Sequence, residues 1–122
     1  MSNAPLNLVG NEAKVENEGQ REPRVYVTHD TGDDLADLEH QFGHLVYLSS
    51  GYVDVTRPAF LSALRDRIRR RIAESQPYDY IYFQGFGAVT ALCVREWFLR
   101  HSEMHLIIRR RKDSRFIVIG LT

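Results

Sequence analysis

A single cysteine, Cys93, serves the whole chain of 122 residues, which excludes an internal disulfide and a multi-cysteine zinc centre. It falls in the apolar run Ala91-Leu92-Cys93-Val94 and reads as a small buried hydrophobe rather than a nucleophile. No segment approaches the roughly 18 to 20 consecutive apolar residues of a membrane span. The N-terminus also lacks the basic and apolar regions of a secretory signal, so a cytoplasmic protein without membrane contact is expected. The full dinucleotide-binding glycine fingerprint, the phosphate-loop lysine motif, the Cys-x5-Arg phosphatase loop, the Cys-x-x-Cys redox pair and the Gly-x-Ser-x-Gly elbow are all missing. Their absence removes the commonest enzymes of this size, and a non-catalytic protein with no cofactor and no metal is expected. There is no internal repeat.

What the chain does have is segregated charge. Residues 1–55 carry 3 basic and 10 acidic residues, and residues 56–122 carry 13 basic and 6 acidic, so the net charge of zero hides two opposed halves. Nearly all the positive charge is arginine. It gathers in Arg65, Arg67, Arg69, Arg70 and Arg71, and again in Arg109, Arg110, Arg111, Lys112 and Arg115. The guanidinium fork suits bidentate recognition of phosphate or carboxylate, so these clusters are the strongest functional hint in the sequence.

The composition, 43% hydrophobic and 26% charged, fits one ordinary globular domain. Residues 1–23 have isolated apolar side chains and no period, and are expected to form a flexible arm whose Leu6 to Val9 patch could dock on a neighbour. From 24 to 122 the pattern alternates. Arg24 to Thr28 reads as a strand that stops at the polar turn from His29 to Asp33. Asp33 or Asp34 then caps a short helix bearing Leu35, Leu38 and Phe42, ended by Gly43. His44 to Ser49 reads as the second strand, and Tyr52 to Val55 as extended. Pro58 opens a helix expected to reach Ser75, with Leu61, Leu64, Ile68 and Ile72 as its apolar stripe. Tyr78 to Phe83 is the third strand, and Ala88 to His101 a helix apolar enough to be buried on several sides or to meet another copy around Trp97. Met104 to Ile108 and Phe116 to Leu121 are strands joined by so short a turn that they must pair antiparallel.

This order resembles Rossmann-like and flavodoxin-like domains as a class: a three-layer α/β fold, mostly parallel, in strand order 2-1-3-4-5 with an antiparallel edge hairpin. The resemblance implies a switch point between strands one and three, where ligands of such domains sit. Two loops follow those strands. In one, His29 and Asp30 stand with Asp33 and Asp34, a set that makes good turn formers and helix caps and could also bind a cation or supply a base. In the other, Gln84, Gly85, Phe86 and Gly87 lead straight into a helix whose first-turn N–H groups could cradle an anion. Ser49 and Ser50 offer hydroxyls. His40 with His44, and His101 with His105, are spaced by four, yet each pair straddles a helix end, so no zinc pair is expected.

Burying the Leu61, Leu64, Ile68, Ile72 stripe turns the helix arginines outward. The expected function is therefore an accessory protein that binds nucleic acid phosphates through this helix face and the hairpin, with Tyr78, Tyr80 and Tyr82 as stacking rings if they reach the surface. A nucleotide or phosphorylated small ligand at the switch point, with or without hydrolysis, is the alternative. A self-assembling interaction module is the third reading, in which the arginines only solubilise the fold or pair with Asp33, Asp34, Asp37 and Glu39 of another subunit.

Overall fold

The computed structural model describes residues 20–122, so most of the expected arm, including Leu6 to Val9, lies outside the described residues. Five strands, β1 (Arg24–Val27), β2 (His44–Tyr47), β3 (Tyr80–Tyr82), β4 (Met104–Arg109) and β5 (Phe116–Leu121), form one sheet in the order β2-β1-β3-β4-β5. The first four run parallel and β5 pairs antiparallel with β4. Among the described residues there are three helices, α1 (Ala36–Phe42), α2 (Pro58–Ile72) and α3 (Gly87–Arg100). This is the three-layer α/β arrangement with the 2-1-3-4-5 order that the alternation of apolar strands and amphipathic helices predicts.

The two faces are covered unequally. On one, α2 and α3 bury Leu64, Ile68, Ile72, Val89, Cys93 and Trp97 against Tyr26, Ile81, Met104 and Leu106 of the strands. Each fully buried aliphatic side chain there contributes about 1.5–3 kcal/mol, and the Tyr26 ring meets Trp97 edge-on at 5.7 Å. On the other face α1, with only seven residues, covers Val25, Val27 and Ile107 through Leu35 and Leu38. Tyr80, Tyr82 and Phe116 are left half-buried beside it.

Several boundaries differ from the sequence expectation for local reasons. Leu61 is 36% exposed and stands off the buried stripe. Residues 52–55 form no strand, because the Asp54 carboxylate accepts from the Thr56 N–H and hydroxyl and bends the chain. The helix α2 stops at Ile72, where tighter bonds from Glu74 N to Arg71 O and Ser75 N to Ile72 O close its last turn. Strand β3 starts late, since Tyr78 and Asp79 belong to the preceding turn. At the start of α1, Asp34 accepts from Ala36 N, with Leu35 in the capping position. Gly43 ends α1 at φ 136°, where a Cβ would lie 2.2 Å from the Pro23 carbonyl oxygen, so only glycine fits.

Candidate functional site

The carboxyl ends of β1 and β3 meet at a crest, and Thr28 stitches them together. Its hydroxyl donates to Gln84 O at 2.7 Å and accepts from Gln84 N at 2.8 Å. The two switch-point loops are thus held side by side. Gln84 Nε2 also reaches Asp33 Oδ2 at 3.2 Å, while Gln84 Oε1 is buried with no partner among the described residues.

His29 is the centre of this crest and is 5% exposed. Its Nδ1 lies 2.7 Å from Ser49 Oγ, and Ser49 Oγ donates its one proton to Thr28 O, also at 2.7 Å. Since a hydroxyl has a single proton to give, His29 Nδ1–H must be the donor to Ser49. That fixes the neutral ring in its Nδ1–H tautomer, leaving Nε2 with a lone pair and no partner among the described residues. Ser49 is 3% exposed and spends both roles of its hydroxyl on this relay, so it orients His29 instead of presenting a free nucleophile.

Gly85 makes room for that ring. At φ 92°, it would carry a Cβ 2.7 Å from His29 Cβ and 3.2 Å from Cδ2, the carbon bonded to Nε2. The Phe86 ring then packs on the imidazole at 5.4 Å, with 55% of the residue exposed. Phe86 is also the residue before the first turn of α3. Among the described residues no side chain caps that turn, and no acidic residue stands in it, so its N–H groups and the positive end of the helix dipole face outward. Gly87 has open space around it. The acidic residues nearby are engaged: Asp30 Oδ1 accepts from Gly32 N, and Asp33 Oδ2 accepts from the Thr31 hydroxyl as well as from Gln84. Among the described residues no group of three or more His, Cys, Asp and Glu is placed to hold a metal ion.

The arginines are divided by what they contact. Arg69 grips Glu96 of α3 with two bonds, at 2.7 and 3.2 Å, and Arg95 adds a third at 2.9 Å. Glu96 is buried, and the hydrogen bonds from Arg69 hold its carboxyl below the usual range against the opposing effect of burial. Arg65 leans on Ser62 and Asp66 at 3.3 and 3.5 Å. Arg71 donates to Tyr47 O. Arg110 binds Asp113 at 3.2 and 2.6 Å, and the Arg109 guanidinium covers the Phe116 ring at 4.5 Å. Arg67, Arg70, Arg111 and Lys112 have no side-chain partner among the described residues. Arg71 thus reaches the carboxyl end of β2 while Arg69 is tied to α3, and the β4–β5 turn extends from the crest end of the sheet.

Other expected groups have structural surroundings. Tyr80 packs on Phe42 at 5.2 Å and Tyr82 on Phe116 at 6.2 Å, while Tyr78 donates to Arg21 O at 3.0 Å. Val89, Cys93 and Trp97 are buried within the chain, which leaves Leu99, 64% exposed, as the apolar outlier of α3. Burial, reinforced by the charge of Glu96, pushes the Cys93 thiol up to about 12. His44 is exposed beside Glu39 at 3.5 Å, and His105 stands 3.5 Å from Glu103. His101 Nε2 donates to Ser75 Oγ at 2.7 Å, because the Ser75 proton goes to Ile72 O. An open groove of about 600 Å³ lies between α1 and the β4–β5 turn, with Asp37 and His40 facing Arg109 and Arg115 over Phe116. No crest residue lines it.

Two residues with central roles were not singled out by the sequence reading. Asp79, fully buried, accepts from Arg21 Nη1 at 2.9 Å, Arg24 N at 2.8 Å and Gln76 N at 2.8 Å, which pins the chain ahead of β1 to the turn before β3. Glu96 joins α2 to α3. Its signal was present as the lone acid in the apolar stretch from Ala91 to Leu99. Comparison with known protein families, with curated proteins and with solved structures found no match.

Proposed function

We propose that the chain is a binding domain for a phosphorylated small ligand of the nucleotide class, seated at the crest between β1 and β3. The observation that carries this reading is His29: nearly buried, locked by Ser49 in one tautomer, and left, among the described residues, with one unpartnered nitrogen beside an uncapped first turn of α3. The N–H groups of that turn supply a phosphate cradle. Nε2 accepts a hydrogen bond from a ligand hydroxyl and, once protonated, donates one to a phosphate oxygen. Phe86 gives an exposed ring for a nucleobase, and Tyr52, 79% exposed in the loop after β2, gives another.

The test is thermal unfolding with ATP, ADP, AMP and adenosine. A ligand at one hundred times its Kd adds about 2.7 kcal/mol, which for a domain of this size raises Tm by on the order of 10 °C. The phosphorylated members are expected to stabilise and adenosine is not. Gly87→Asp, whose side chain enters open space and suits a helix start, should fold normally and lose the effect through repulsion. No shift with any of the phosphates overturns the reading.

A second reading, nucleic acid binding by the basic surface, is favoured by Arg67, Arg70, Arg111 and Lys112, which have no side-chain partner among the described residues. It predicts oligonucleotide affinity that falls steeply with salt and weakens when Arg67, Arg70 and Arg71 are changed together to Ser. Binding unchanged in that variant removes α2 from the interface.

A further inference from the structure

The two edges of the sheet are treated differently. At β2, four residues long, the Arg71 guanidinium occupies the Tyr47 carbonyl at the strand's end. At β5 nothing comparable is found among the described residues. Its sequence, Phe-Ile-Val-Ile-Gly-Leu, has no charge and no proline, its six residues pair without a bulge to β4, and its outer side has no neighbouring strand among the described residues. Ile117 and Val118, which point to opposite faces, are 37% and 41% exposed. A regular, apolar, unprotected edge is a template for another strand.

We propose that β5 is the surface through which two copies of this chain pair, edge to edge and antiparallel, into one continuous ten-stranded sheet. The strand is self-complementary. Residues directly opposite each other in an antiparallel pair point to the same face, so the two-fold axis must pass through a residue and not between two. Centred on Val118, it sets Val118 against Val118 of the second copy, Ile117 against Ile119, and Phe116 against Gly120. Two are β-branched pairs, which stabilise sheets, and the third sets Phe116, whose ring packs inward on Phe42 and Tyr82, against a glycine with no side chain to obstruct the pairing. Centring on Ile119 instead wastes Val118 on Gly120 and sets Phe116 against Thr122.

Electrostatics select the same orientation. Each copy carries a basic β4–β5 turn at one end of β5. Antiparallel pairing separates the two turns by roughly 20 Å, the length of six strand residues, which is about two Debye lengths at physiological salt. Parallel pairing would place them side by side. Because the β2 edge is obstructed, the assembly closes at two copies and does not extend as a fibre.

The test is light scattering of the full chain at tens of micromolar, with two kinds of variant. The wild type is expected at twice the mass of one chain, and Val118→Lys, checked for folding by circular dichroism, at the mass of one. Val118→Cys should form a covalent dimer under mild oxidation, while Ile119→Cys, facing Ile117 of the second copy, should not. Cys93 does not compete, being buried. A monomeric wild type, a dimer that Val118→Lys leaves intact, or crosslinking at 119 but not at 118 overturns the proposal. It stands apart from the ligand reading, since β4 separates β5 from β3 and Gly87→Asp leaves β5 untouched.

Discussion

Gly85 lies against the His29 imidazole so closely that a Cβ at position 85 would come 2.7 Å from His29 Cβ, at a backbone φ of 92°. Two constraints act together on one residue: a left-handed backbone that L side chains resist, and a ring that cannot retreat because Ser49 holds its far side. Gly85→Ala is therefore expected to cost about 2 kcal/mol or more and to displace the imidazole. Denaturant melts measure the first effect. Loss of nucleotide-induced stabilisation measures the second. Gly87→Ala, at a helical position with open space, is the control and should leave both unchanged.

Asp79 accepts from three residues, Arg21, Arg24 and Gln76, with one carboxylate, and so ties the chain ahead of β1 to the turn before β3. Asp79→Ala strands two backbone N–H groups and the Arg21 guanidinium, so a loss of about 3 kcal/mol is expected. Arg21→Ala should cost less, because the two backbone donors still satisfy the acid. Equal losses in the two variants would contradict this ranking.

Glu96 adds a pH dependence at the acid end. Its carboxyl titrates below the ordinary range, chiefly through the Arg69 hydrogen bonds, so the folded state binds its proton less readily than the unfolded chain. The stability it contributes is complete above the usual carboxylate pKa of about 4.3 and is lost as pH falls through the lowered value. Glu96→Gln should be less stable than wild type at pH 7, with the gap closing in acid. A gap independent of pH would show that the pair does not act through charge.

His101 acts at milder pH. Burial lowers its pKa first and the Arg100 charge second, with Asp79 opposing. The folded state thus favours the neutral ring, and its stability is complete above the unfolded value of about 6.5 and declines as pH falls from there through the lowered value. His101→Gln keeps a donor for Ser75 and should remove the part of the pH 7 to 5 decline that belongs to this ring. Unfolding curves across that range, compared between the two proteins, check it.

The strand order and layers were legible because near-continuous apolar strands and amphipathic helices alternate, and the short β4–β5 turn allows only antiparallel pairing. The switch-point loops could be named for the same reason. What could not be read were partners distant in sequence. Asp79 is 58 residues from Arg21, and Glu96 is 27 from Arg69. Sequence periodicity located the arginine face of α2 but gave no sign that Arg69 crosses to α3 or that Arg71 reaches the β2 edge. Ser49 was visible as a hydroxyl, yet its value lies in its proton going to Thr28 O, which makes His29 the donor. That direction exists only once β1 and β2 are side by side.

The most direct measurement is nuclear magnetic resonance of labelled protein during titration with ATP, following the His29 ring nitrogens and the amides of residues 85 to 90. The account predicts an Nδ1–H ring before ligand is added, then shifts at Nε2 and at those amides as ATP binds. A silent crest, with changes confined to α2 around Arg67 and Arg70 and to the β4–β5 turn, would contradict it and move the binding surface to the arginines.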